Sequence, residues 1–141
     1  MGFGRWNSEL QEDETANDSD KTFTVDSDEE WRVKSIYVEL VTTATTGDRQ
    51  LVVEYQDAAA DVIAEVRAGA VQAPSLTRKY LFAVGAIDLT SFRDTDFLMT
   101  PLPEIMMTEG FKIRIYDIKA KDAAADDMEV HMMVERIPSK R

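Results

Sequence analysis

The chain has 141 residues, 44% of them hydrophobic and 30% charged, with a formal net charge of −11 and no cysteine. That length and composition fit one soluble domain able to bury a core without staples, and the missing cysteines exclude disulfides and thiolate chemistry. A pI near 4.5 argues against a nucleic-acid partner, because phosphate contacts need clustered Lys and Arg, and no apolar run approaches the roughly 18 residues of a membrane span.

The charge is concentrated at the start. Residues 1–30 hold 10 acidic and 2 basic side chains, a net −8. Residues 1–21 read as an extended acidic N-terminal arm, separate from a β domain over 22–141 with a short basic tail. Phe3 and Trp6 are the arm's aromatics, and they stand before the acidic run that includes Glu12, Asp13 and Glu14. Ser8 could cap a short helix over 8–14. Such a composition is disorder-prone alone, so the expectation is an arm that becomes ordered on a neighbouring chain. Phe3 and Trp6 would be buried there. Its carboxylates would pair with basic groups, among them Arg136, Lys140 and Arg141 of another copy.

From Lys21 onward the pattern is one of strands. Residues 21–25 alternate, with Phe23 and Val25 on one face. Residues 31–43 are rich in β-branched and aromatic side chains, but the phase slips between Trp31/Val33 and Ile36/Val38/Leu40. A bulge near Lys34–Ser35 would absorb the extra residue. Turns at Gly47-Asp48 and at the first DAAAD segment, 57–61, bound strands at 49–56 and 62–69. Residues 76–84 set Tyr80, Phe82 and Val84 on one face, and 96–100 form a short strand. A Glu109-Gly110 turn leads into alternating Phe111, Ile113 and Ile115. The second DAAAD, 122–126, precedes the last strand, where Met128, Val130, Met132 and Val134 share a face.

About eight short strands with regular turns and no amphipathic helix predict an all-β, antiparallel β-sandwich, jelly-roll-like, with the N-terminal arm appended. The expected core includes Val33, Val38, Leu40, Val53, Phe82, Ile113, Ile115 and Val130.

Chemistry-bearing patterns are sparse. His131 is the only histidine and lies opposite the Met128/Val130/Met132 face, so it reads as a solvent-facing strand residue without companions for catalysis. The acidic loop at 26–31 lacks the glycine and glutamate an EF-hand requires. Asp117, Asp122, Asp126 and Asp127 could gather around a cation, or serve ordinary turns. No phosphate-loop, dinucleotide or nucleophile-elbow motif is present. The expectation is therefore no enzyme, no catalytic residue, no metal and no cofactor. Tyr37, Tyr55, Tyr80 and Tyr116 are candidates for a carbohydrate platform, with Tyr55 and Tyr80 in the inward phase. The pairs Met106-Met107 and Met132-Met133 each put one methionine on either face of a strand, which hints at an interface.

The stretch PLPEIMMTEGFKIRIYD resembles the late hairpin of jelly-roll virion proteins, and GAVQAPSLTRKYLFAVGA is similar to small accessory structural proteins of tailed bacteriophages. The resemblance spans about residues 22–137. It implies a non-enzymatic capsid decoration or cement protein, assembled into the virion in the host cytoplasm. The implied partners are the major capsid protein or other virion proteins, with repeated copies or a homo-oligomer of the chain itself. The low pI and the lack of a long apolar run set the further expectation of no nucleic-acid and no membrane partner. A neck or tail accessory protein and a carbohydrate-binding β-sandwich module for host attachment are the alternatives.

Overall fold

The computed structural model describes residues 7–138. Ten strands follow one another: β1 (Asn7–Asp13), β2 (Asp20–Thr24), β3 (Glu29–Val41), β4 (Leu51–Gln56), β5 (Val62–Arg67), β6 (Thr77–Ala83), β7 (Phe97–Pro101), β8 (Met106–Met107), β9 (Lys112–Asp117) and β10 (Asp127–Pro138). Among the described residues there is no helix. One sheet has the order β1-β10-β3-β6-β7, with β8 also pairing β3, and the other has the order β2-β9-β4-β5.

The pairings are nested. β1 pairs β10, β2 pairs β9, β3 pairs β6 and β4 pairs β5, all antiparallel. A long hairpin folded over on itself gives this order, with β1 to β4 falling alternately in the two sheets. That is the jelly-roll arrangement the alternation predicted. One strand departs from it: β7 runs parallel to β6. The irregular connection at 84–96 returns the chain to the same end of the sheet, so the next strand starts where β6 started.

Period-two alternation decides which side chains fill the sandwich. β10 buries Met128, Val130, Met132 and Val134, and β9 buries Ile113 and Ile115. All eight residues expected in the core are buried there. The register of β10 on β3 shifts between Met133, opposite Ser35, and Val134, opposite Val33. Lys34 is thus the extra residue, at the expected bulge. It keeps Trp31 and Val33 on the same face as Ile36, Val38 and Leu40, and its carbonyl accepts the Val84 amide at 3.0 Å. The turn at Gly110 has φ +83°, a left-handed conformation that glycine adopts without a Cβ penalty.

The helix possible over 8–14 is not formed. The described part of the acidic leader is extended, and Asn7–Asp13 pair along β10 of their own chain. Phe3 and Trp6 lie outside the described residues. Leu10 and Glu12 face outward, while Gln11 and Asp13 face the sandwich and are half-buried. β1 thereby carries the acidic segment into the six-stranded sheet.

Candidate interaction surface

The outer face of the six-stranded sheet has an unusual composition. Register places Leu10, Met133, Ser35, Ala83 and Pro101 in one row across β1, β10, β3, β6 and β7. No side chain in that row is charged. Leu10 and Met133 are 48% and 38% exposed. The neighbouring row is Glu12, His131, Tyr37, Leu81 and Met99. Beyond it lie Glu129, Glu39, Lys79 and Phe97. The face is an apolar strip, strongest over β6 and β7, with an acidic border over β1, β10 and β3. On its other flank, Arg32 and Lys34 contact Glu104 and Glu135 at 3.3–3.9 Å. Those charges neutralise one another, so that border has little net field.

The opposite outer face is built differently. On the four-stranded sheet, Arg114 forms a two-point ion pair with Asp20, at 2.8 and 2.7 Å. Its guanidinium lies 3.8 Å from the Tyr116 ring centroid, and the Tyr116 hydroxyl is 3.1 Å from Glu54. Its hydrogen bond to Asp20 raises the Arg114 pKa above its usual value, against the opposing effect of burial. These side chains pair with one another, and the Arg114 guanidinium covers one face of the Tyr116 ring.

Tyr55 and Tyr80 are buried, as their phase indicated, and burial raises both phenol pKa values. The methionine pairs divide as expected: Met107 and Met132 are fully buried, while Met106 is 46% and Met133 38% exposed.

The structure gives His131 the companions the sequence did not show. Its Nδ1 is 3.0 Å from Glu12 and its Nε2 is 3.1 Å from Glu14. The donor atoms of these three residues lie within 4.8 Å of one another, the one such trio among the described residues. They are the residues that could hold a cation, although both ring nitrogens are already engaged by carboxylates. Glu129 stands directly opposite Glu39. Its pKa is raised, first by desolvation and then by the Glu14 and Glu39 carboxylates.

The other acidic leader residues are paired within the chain. Asp13 accepts from the buried Lys21 ammonium at 3.2 Å. Burial raises its pKa, but hydrogen bonds from Thr15 and Lys21 outweigh that and leave it lowered. Arg136 lies 3.5 Å from Glu9 and 3.0 Å from Glu29, so its carboxylate partners are on its own chain. Lys140 and Arg141 lie outside the described residues.

Asp117, Asp122, Asp126 and Asp127 do not converge on one point. Asp117 accepts the amides of Gln50, Lys119 and Lys121. Asp122 accepts the hydroxyls of Thr43 and Thr45, which lower its pKa. Asp127 accepts the Asn17 amide, and Asp126 is buried against Arg49. The two DAAAD segments also differ. Asp57 closes its own loop by accepting from Ala59 and Asp61, whereas Asp122 and Asp126 tie their loop to the one at 43–49.

No family model matches the chain, and no curated protein is significantly similar to it.

Proposed function

We propose that this protein is a non-enzymatic structural component of a tailed-phage virion, of the capsid decoration or cement type. In this reading it docks through the outer face of its six-stranded sheet. The observation that carries the docking is the uncharged row Leu10–Met133–Ser35–Ala83–Pro101 across five strands. An apolar strip on one face and self-paired charges on the other are what a protein needs to attach by one side and meet water with the other. The acidic border selects a surface with Lys or Arg beside its own apolar strip. A ligand that binds only the assembled lattice stabilises it by mass action. The virion setting itself rests on the resemblance, since a jelly roll serves many functions.

Immunogold labelling of purified particles from the encoding phage, with antibody to this chain, tests the reading. Regular labelling over the head supports it. Labelling confined to the neck or tail would move the protein to that part of the virion, and unlabelled particles would refute a virion role.

A further inference from the structure

We infer that β5 is a self-association edge, through which two copies join their four-stranded sheets into one continuous eight-stranded sheet. This goes beyond attachment to a particle and does not depend on it.

β5 is the outer strand of its sheet. An open strand edge is a template for pairing, and proteins protect such edges with charge, proline or a covering segment. The strands at the other ends of the two sheet orders are protected. β7 ends in Pro101, and its Met99 carbonyl accepts the Leu89 amide. β1 carries Glu9, Glu12 and Asp13, so its self-pairing would bring carboxylates together. β2 has Asp20 committed to Arg114. β5 carries no proline, and its one irregularity is a register shift that leaves Ile63 unpaired at its start. Val62 and Ile63 are 54% and 46% exposed, and its two charges, Glu65 and Arg67, are opposite in sign, so they do not repel a second copy in every register.

The backbone gives the edge a direction. The Ala68 amide donates to the Leu51 carbonyl, in register with Val66 opposite Val53 and Ala64 opposite Tyr55. In an antiparallel ladder, hydrogen-bonded pairs alternate with non-bonded ones. Ala64, Val66 and Ala68 therefore bond to β4, and the peptide groups of Glu65 and Arg67 point away from it.

An antiparallel pairing centred on Val66 puts Glu65 opposite Arg67 of the second copy, and Arg67 opposite Glu65. The contact is isologous and two-fold, with both charge pairs satisfied at once. Centring on Glu65 or on Arg67 would set like charges face to face. The free edge ends soon after Arg67, where Gly69 packs so close to the Leu89 carbonyl that a Cβ there would lie 2.2 Å from its oxygen. Val62 and Ile63 would reach this turn on the second copy, which gives their exposed side chains a covering surface. Glu65 and Arg67 already touch within one copy, at 2.9 Å, so both lie on the same outer face, ready to exchange partners.

The test is sedimentation equilibrium over a range of concentrations on the wild type, Glu65→Arg, Arg67→Glu and the double swap, each checked for folding by circular dichroism. The expected result is a concentration-dependent dimer. Each single reversal should weaken it about tenfold, from two attractive cross-strand pairs made repulsive, and the double swap should restore it. As a second readout on the wild type, the Glu65 and Arg67 amides should gain exchange protection as concentration rises. A wild type that stays monomeric, or a dimer indifferent to the single reversals with those amides unprotected, would overturn the inference.

Discussion

Arg49 and Asp126 form a two-point ion pair with both side chains at 0% exposure. Arg49 Nε is 2.8 Å and Nη2 3.0 Å from the carboxylate. Nη1 donates to the Thr45 and Gly47 carbonyls and Nη2 also to the Thr43 hydroxyl. All five guanidinium donors thus have partners, and Asp126 accepts the Thr43 amide as well. Full satisfaction is what makes a buried ion tolerable. Removing one partner leaves an uncompensated buried charge. Asp126→Ala should therefore cost about 3–5 kcal/mol in urea unfolding. Arg49→Met with Asp126→Leu should recover much of that loss, because an apolar pair leaves no charge stranded.

The acidic border on the outer face of the six-stranded sheet should hold back stability at neutral pH. Glu129 faces Glu39, and partial desolvation together with the Glu14 and Glu39 charges raises its pKa. A raised carboxyl favours the folded state while protonated, and that advantage is lost as pH rises through the folded-state value. Glu129→Gln should raise the melting temperature at pH 7 by about 1–4 °C, the scale of one relieved like-charge pair. At about pH 3.5, where the wild-type group is already neutral, the variant and the wild type should melt together.

β1 is held partly by charge, which gives it the opposite pH signature. Asp13 takes the buried Lys21 ammonium, and its pKa is lowered below 3.8. A depressed carboxylate contributes stability that is present above its unfolded pKa and lost as pH falls through the folded value. Asp13→Asn should cost about 1–3 kcal/mol at pH 7, because it removes a charged partner from a buried cation. The penalty should shrink as pH falls from about 4 through the lowered folded-state value, where the wild-type group finally loses its charge too. Amide exchange along Asn7–Asp13 should quicken in the variant at neutral pH.

Alternation made much of the fold legible. β3, β9 and β10 each bury one side chain in two, so the phase slip between Val33 and Ile36 located the bulge near Lys34–Ser35 before any pairing was known, and the register puts it at Lys34. The leader was opaque for the same reason. NSELQED has polar residues on both faces, and nothing in it marks a strand, since β1 owes its place to the open edge of β10. Buried charges were hidden as well. Nothing in the sequence marks Lys21 or Arg49 as buried, and the partner of Arg49 lies 77 positions along the chain. His131 was correctly placed on the outward face, but its carboxylates come from β1, the strand that was not foreseen. The uncharged row was glimpsed only through Met133. Its row runs across strands, and sequence order shows rows along them.

The most direct measurement of the docking claim is co-sedimentation of the folded protein with particles that lack it. The variants to compare are Leu10→Asp with Met133→Asp, which charges the uncharged row, and Thr24→Asp on the opposite sheet. All three positions are exposed, so the fold should be retained. Two apolar side chains that are buried on docking contribute about 3 kcal/mol or more, so the double variant should bind roughly 100-fold more weakly. Thr24→Asp should bind like the wild type. Equal binding by all three proteins would contradict the account, because the particle would then be recognising another surface.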